Sequence, residues 1–185
     1  MPYSEEISWY AVKVFRRLSY VMDEFHAAGW ETYYAMEVRK TSQGGRPSSG
    51  KDRPVPIFAT LLFVRCSEKY IVEYKYSHND LLMYYRDIST GLPGRINERE
   101  MEVFRMVTSL AGPEDVSFFG EDRPEFHKGD KVRITGGTFE GAEGFIKRVG
   151  RDRKVLVCIT GVAAVLISNI NPDFLERLPE EDRNS

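Results

Sequence analysis

Residues 128–146 read KGDKVRITGGTFEGAEGFI, and this stretch decides the fold of the C-terminal part of the chain. Val132 and Ile134 alternate with charged and polar residues, which is the period-two pattern of a strand with one buried face. Four glycines follow at close spacing: Gly136, Gly137, Gly141 and Gly144. We expect them to supply positive φ angles where a side chain would clash, so that the backbone turns back sharply. The stretch alone predicts a small β-barrel.

More strands of the same kind follow this stretch. Short apolar or alternating segments predict strands over residues 131–135, 144–148, 155–159 and 163–167, with residues 174–175 as a terminal edge. Glycine-containing turns separate the later segments from one another. Together these elements predict an SH3-like β-barrel over residues 126–185.

The first 111 residues alternate between strand and helix patterns. Aromatic and β-branched runs predict strands over residues 7–15, 30–38, 57–64 and 81–85. Apolar residues at helical spacing predict helices over residues 17–28 and 68–76, and a third helix after Asn97, with Ser67 and Asn97 as N-caps. This order predicts an α+β fold, in which a four-stranded antiparallel sheet has flanking helices in the split-βαβ or ferredoxin-like arrangement.

Two segments have the composition of connections. Residues 41–56 are rich in Gly, Ser and Pro, so we expect a mobile loop there. Residues 112–125 contain prolines and acidic residues with a net charge of −4, which is typical of an interdomain linker. Phe118 and Phe119 are unusual in a linker, and we expect them to dock on a neighbouring surface.

The charge distribution restricts how this chain could bind nucleic acid. The formal net charge is −2, yet residues 1–110 and residues 126–185 each carry a net charge of +1. Neither part is basic enough to bind nucleic acid through bulk electrostatics, which requires many phosphate contacts. Any contact with nucleic acid is therefore expected to be local and to depend on a protein partner.

Nothing in the sequence predicts an enzyme, a metal or a cofactor. The three histidines, His26, His78 and His127, have no cysteine or histidine partner at ligand spacing. The glycines near residue 141 lack the Gly-Lys-Ser/Thr of a phosphate-binding loop, and no nucleophile elbow is present. Cys66 and Cys158 are expected to be small buried hydrophobic residues rather than a disulfide. With neither a leader nor a membrane-spanning run, the sequence predicts a cytoplasmic protein.

Residues at both ends of the chain resemble one family. Residues 128–146 resemble the KOW motif of the NusG family of transcription factors. Trp9-Tyr10-Ala11-Val12 resembles the start of that family's N-terminal (NGN) domain, and Ala163-Ala164-Val165-Leu166 resembles its last barrel hairpin. The resemblance covers nearly the whole chain and implies an NGN domain over residues 1–111, a linker over 112–125 and a KOW barrel over 126–185.

One departure from the family pattern favours a specialised member. The family commonly has Phe-Pro-Gly-Tyr in the third strand, whereas this chain has Phe58-Ala59-Thr60-Leu61. The chain is therefore most similar to specialised paralogues such as RfaH and the UpxY regulators of capsule operons.

The resemblance implies a site for RNA polymerase. In the family, an apolar depression on the NGN domain receives the clamp helices of the large catalytic subunit. The matching residues here are Lys13, Phe58, Leu61, Phe63 and Tyr84. The alternative is that the apolar residues are sheet core, because a strand alternates its faces and would need a bulge to present all of them together.

Further contacts follow from the same resemblance. Arg16 and Arg17 are candidates for contact with non-template DNA, and the alternative is solvated surface charge. Phe139 lies at the predicted tip of the first barrel loop. It is a candidate contact for Rho or a small-subunit ribosomal protein, unless it folds back to cap the barrel.

The predicted function is that of a transcription elongation and antitermination regulator. Its NGN domain would bind the polymerase clamp helices and its KOW barrel would recruit a second partner. The alternative is a KOW-type module that binds RNA or the ribosome without binding polymerase.

Overall fold

A computed structural model describes residues 3–39, 42–43, 46–47, 53–110, 116–119, 129–149, 152–159, 162–168 and 170–179. The chain divides into two compact units. The first unit comprises Met1–Ala35 with Phe58–Met101, and the second comprises Met36–Ile57 with Glu102–Ser185.

The described residues form three helices and short strands. The helices are α1 (Leu18–Ala27), α2 (Glu68–Ser77) and α3 (Glu98–Leu110). The strands are β1 (Ile7–Val14), β2 (Glu31–Tyr33), β3 (Met36–Arg39), β4 (Ser42–Gln43), β5 (Arg46–Pro47), β6 (Arg53–Pro56), β7 (Leu61–Ser67), β8 (Leu82–Tyr84), β9 (Arg95–Ile96), β10 (Val116–Phe119), β11 (Lys131–Ile134), β12 (Glu143–Val149), β13 (Asp152–Ile159), β14 (Ala163–Ile167) and β15 (Leu175–Arg177). The predicted mixed α+β class is confirmed.

The sheet of the first unit has the order β2-β7-β1-β8, and β9 also pairs with β1. Every pairing is antiparallel. Strands β1 and β2 both run opposite to β7, so they are parallel to each other with β7 between them and α1 as their crossover. Strands β7 and β8 stand in the same relation around β1, with α2 as their crossover. The sheet is therefore two interleaved split βαβ units, with β9 as a fifth strand.

Two predicted N-caps start their helices. The Ser67 hydroxyl accepts a hydrogen bond from the Tyr70 backbone N–H at 3.2 Å. The Asn97 side-chain oxygen accepts one from the Arg99 N–H at 2.7 Å. Each side chain satisfies a donor that the first helical turn leaves without a partner, so the sequence located the starts of α2 and α3 correctly.

The main core of the first unit lies on the side of the sheet that α1 and α2 cover. Its apolar residues come from both helices and from alternating positions of three strands. From the strands they are Tyr10, Val12, Val14, Leu62, Val64, Cys66, Leu82 and Tyr84; the helices add Val21, Phe25, Ile71, Val72 and Tyr74. Cys66 is buried, as predicted, whereas Cys158 is only half-buried; the two are not joined by a disulfide.

Two predicted strands differ from the observed ones. The strand predicted over residues 30–38 breaks at Tyr34 and Ala35 into β2 and β3, which belong to different sheets. At the break, the Tyr34 hydroxyl donates a hydrogen bond to the Ala59 carbonyl. The strand predicted over residues 57–64 begins only at Leu61, because residues 57–60 form a bend and a turn.

Part of the predicted mobile loop over residues 41–56 is regular structure. Strand β6 pairs with β3, and the two-residue strands β4 and β5 pair with each other. The remaining loop residues, including Lys51, lie outside the described residues. The described part of the loop is therefore antiparallel strand rather than irregular chain.

The second unit contains a six-stranded antiparallel sheet in the order β10-β14-β13-β12-β11-β15. The strands predicted from residue 131 onward are present. Strand β10 lies inside the segment predicted as a linker, where Phe118 and Phe119 pair with Val165 and Ala164 of β14. The backbone of these two residues therefore belongs to the six-stranded sheet rather than to an irregular linker.

The four glycines near residue 141 serve two different purposes. Gly137 and Gly141 have φ angles of 84° and 86°, which only glycine adopts readily. Gly136 and Gly144 do not share this property, so the expectation of positive φ was wrong for them. A Cβ on Gly144 would lie 2.4 Å from the Leu156 carbonyl oxygen, because β13 passes directly beneath it. Gly144 is therefore required for close approach of two strands.

We expect Gly144→Ala to destabilise the second unit by at least about 2–3 kcal/mol, since neighbouring backbone cannot move away from the added methyl group. Gly141→Ala is the matched control, because a Cβ there meets nothing within 4 Å and costs only the unfavourable φ, about 1 kcal/mol. Denaturant unfolding of both variants measures the difference. Equal losses would show that close strand approach is not the reason for Gly144.

Candidate interaction surface

The register of the first sheet decides which predicted polymerase-site residues share a face. Lys13 lies opposite Leu61 of β7 and Met83 of β8, so these three side chains are on one face. Val12 lies opposite Leu62 and Tyr84, which belong to the core under α1 and α2. The structure therefore places Tyr84 on the opposite face from Lys13, Leu61 and Phe63, because no bulge interrupts the alternation of β1.

Most of the predicted apolar residues are buried. Phe63 has no exposed surface and lies opposite Ala11 and Tyr33, with its ring 6.4 Å from that of Tyr33. Leu61 is also buried, whereas Phe58 is half-buried in the bend before β7. Leu61, Phe63 and Tyr84 are therefore core residues of the sheet, which was the alternative to a partner-binding role. None of these three presents a large apolar surface to a partner.

Two exposed apolar residues lie near Lys13, and neither is among the predicted site residues. Met83 is 44% exposed beside Lys13, and Phe15 is 50% exposed two residues further along the chain. We call Lys13, Phe15 and Met83 the β1–β8 rim. The alternation of Trp9, Ala11 and Lys13 leads directly to Phe15, so the pattern of β1 could have revealed it. Met83 could be found only from the cross-strand register.

The other end of this face is closed by the start of α3. The Trp9 indole N–H donates a hydrogen bond to one carboxylate oxygen of Glu98 at 3.1 Å. The Arg65 Nε donates to the other oxygen at 2.8 Å. Trp9 is buried, so Glu98 satisfies a polar group that would otherwise lie without a partner. This contact covers Trp9, whereas Ile7, two residues earlier on the same strand, is 49% exposed.

The two arginines predicted to contact DNA are both exposed at the start of α1. Arg16 forms an ion pair with Asp80, which holds the pKa of that carboxyl below its ordinary value. Arg17 has a φ of 55° and places its guanidinium 4.7 Å from the centre of the Tyr20 ring. These contacts offset the unfavourable position of two cations at a helix start.

Phe139, the predicted contact of the second unit, folds inward. Only 7% of its surface is exposed, since a large aromatic side chain is costly to leave in water at a loop tip. The exposed aromatic residue of this region is Phe174, whose ring lies 3.1 Å from the position of a Cβ on Gly136. Phe174 is 38% exposed and belongs to the short 3-10 helix Pro172–Phe174 before β15.

Within the described part of the chain, no group of three or more His, Cys, Asp or Glu side chains could hold a metal ion. Burial raises the pKa of the Cys66 thiol to about 12, so this cysteine is neutral at physiological pH. Among the described residues, no helix is both long and apolar enough to cross a membrane.

This chain is similar in structure to a known protein, although its sequence matches no family profile. No family profile matches the sequence, and a search of curated proteins found no match. The solved structure is NusG from Thermotoga maritima, described as "Domain interaction in Thermotoga maritima NusG". It shares 19% sequence identity over 94% of this chain and 98% of that chain, with a TM-score of 0.44. At that TM-score the likeness supports no functional inference by itself.

The different burial of Phe63 and Met83 predicts different responses to truncation. Phe63→Ala should reduce the free energy of unfolding by about 3–5 kcal/mol, because it leaves a cavity in the sheet face. Met83→Ala should change it by less than about 1 kcal/mol, because much of the side chain is already in water. Denaturant unfolding tests both variants. A loss at Met83 as large as that at Phe63 would mean that the β1–β8 rim is packed rather than available to a partner.

Proposed function

We propose that this chain is a cytoplasmic, non-enzymatic regulator of transcription elongation and antitermination. Its first unit binds the clamp helices of RNA polymerase, and its C-terminal sheet recruits a second partner. The resemblance of Trp9-Tyr10-Ala11-Val12 and of residues 128–146 to the NusG family supports this proposal. The departure at Phe58-Ala59-Thr60-Leu61 favours a specialised paralogue within that family.

The observation that carries the proposal is the β1–β8 rim. Met83 exposes apolar surface beside Lys13 on the sheet face opposite α1 and α2, and Phe15 exposes more just beyond the end of β1. A small apolar surface beside a cation suits the tip of a helical hairpin that has apolar and acidic side chains. Leu61 and Phe63 support this surface from beneath rather than contacting the partner.

Binding in this way would regulate the polymerase by a shift of conformational populations. A protein that binds the elongating state more tightly than the paused state favours elongation by the difference in binding free energy. The proposed DNA contacts at Arg16 and Arg17 would add to that difference only where the polymerase exposes its non-template strand. Because Arg16 already pairs with Asp80, Arg17 is the better candidate of the two.

The second unit would act by holding another factor near the polymerase. A partner tethered in this way reaches a high effective concentration at the transcription complex. Phe139 is buried, so the contact that we assign to this region uses Phe174 beside Gly136. Rho and a small-subunit ribosomal protein are the candidate partners that the family resemblance implies.

The test is retention of purified core RNA polymerase by the full chain. We expect Phe15→Glu and Met83→Glu each to weaken binding by at least about tenfold, since each places a charge in the centre of an apolar contact. Tyr76→Glu is the matched control. Tyr76 is also an exposed apolar residue, with 64% of its surface in water, but it lies on α2, across the sheet from the rim. Its binding should equal that of the unsubstituted chain.

Two results would contradict the proposal. Unchanged polymerase binding by both rim variants would show that the β1–β8 rim is not the docking surface. Retention of ribosomal subunits or RNA without any polymerase would favour the alternative module.

A further inference from the structure

A separate concavity lies on the helical side of the first unit, away from the β1–β8 rim. It is a shallow depression that is largely open to solvent, with a volume of about 420 Å³, and it is lined by Glu24, Ala27, Ala28, Tyr70, Tyr74 and His78. Glu24 and the two alanines belong to α1 and its end, and the aromatic residues belong to α2 and its end. The small side chains of Ala27 and Ala28 leave the space between the helices open.

The concavity is lined by a row of aromatic rings. Tyr70, Tyr74 and His78 follow one another at a spacing of four residues, so they lie above one another on α2. The Tyr70 and Tyr74 rings are 6.1 Å apart, and the Tyr74 and His78 rings are 4.4 Å apart, both in stacked orientation. Phe25 and Trp30 contact Tyr70 from the core side at 5.5 and 5.3 Å, which fixes that end of the row.

A carboxylate lies at the edge of this row, where Glu24 Oε2 is also 3.9 Å from His78 Nε2. Glu24 accepts hydrogen bonds from the hydroxyls of Tyr20 at 2.6 Å and Tyr74 at 2.7 Å, one on each oxygen. These bonds lower the pKa of the carboxyl, so Glu24 is ionised at neutral pH. Each oxygen keeps a further lone pair, and the side chain is half-buried beside the concavity. A second ligand group can therefore reach the same carboxylate.

We propose that this concavity binds an arginine side chain presented by another protein. A planar guanidinium can pack along the edges of these rings while its N–H groups donate in pairs to a fixed carboxylate, a geometry that a compact ammonium group does not match. Charge complementarity favours a cation, because the residues that line the concavity include the carboxylate of Glu24 and neither a lysine nor an arginine. The site lies across the sheet from the proposed polymerase surface, so it is independent of that assignment.

The experiment is an NMR titration of the full, isotope-labelled chain with N-acetyl-arginine methylamide. We expect saturable shifts of the backbone amides of Ala27, Ala28 and His78. The citrulline analogue has the same shape without the charge, and the lysine analogue has the charge without the planar group. Both should bind at least about tenfold more weakly, because the charge-assisted, bidentate hydrogen bonds are lost or reduced.

Substitutions then identify the groups responsible. Glu24→Gln should weaken binding of the arginine probe by at least about tenfold. Asp23→Asn removes the same charge from an exposed neighbour outside the concavity, so it should leave affinity unchanged. Ala27→Leu should abolish binding by filling the space, and it leaves the Glu24 hydrogen bonds intact. Glu24→Gln also changes the hydrogen bond between α1 and α2, so a loss of binding in that variant alone could come from altered packing. Ala27→Leu tests the site without that change.

Any of three results would overturn the proposal. The first is the absence of saturable shifts with the arginine probe. The second is binding of either analogue as tight as that of the arginine probe. Equal binding of the citrulline analogue would show that the charge does not contribute, and equal binding of the lysine analogue would show that the planar group does not. The third is unchanged affinity in both Glu24→Gln and Ala27→Leu. None of these outcomes bears on polymerase binding, which is measured separately with the rim variants.

Discussion

The pairing of β1 on both of its edges is the constraint on which the first unit depends. This strand pairs with β7 along one edge and with β8 and β9 along the other. Its odd-numbered residues from Trp9 to Lys13 consequently face one side of the sheet, and Tyr10, Val12 and Val14 face the helices. A slip of one residue would exchange the two sets, which would place Lys13 in the core and apolar side chains in water. The large burial on both faces makes such a slip prohibitive.

The same pairing determines which residues of the proposed binding surface are buried beneath it and which are exposed to a partner. Phe63 and Leu61 are covered, so they set the position of the strands, and only Lys13, Phe15 and Met83 reach solvent at that end. On the other face, α1 and α2 enclose the core and leave a concavity at their ends, lined by Glu24 and a row of rings. The two faces of one small sheet thus offer an apolar surface and an anionic aromatic surface. They could serve two partners at once without steric conflict.

Much of the fold could be predicted because it depends on local chemistry. Ser67 and Asn97 are recognisable as helix caps from their side chains alone. The alternation of apolar and polar residues around Val132 and Ile134 indicates a half-buried strand. The face of Tyr84 could not be predicted, because it depends on which residue of β1 lies opposite β8. The burial of Phe139 depends on the path of a turn, and the strand at Val116–Phe119 gains its stability from a distant partner in β14. The concavity beside Glu24 was missed because it joins two helices that are far apart in sequence.

The position of β10 at one edge of the six-stranded sheet determines where the second unit can be cut from the chain. A fragment that starts at residue 126, where the barrel was predicted to begin, lacks β10 and leaves the backbone of β14 unpaired along that edge. Strand β14 consists of Ala163–Ile167 and carries no charged residue to discourage association. Such a fragment would expose an apolar template for pairing between molecules, so self-association of the excised fragment would reflect the missing strand and not a property of the intact protein.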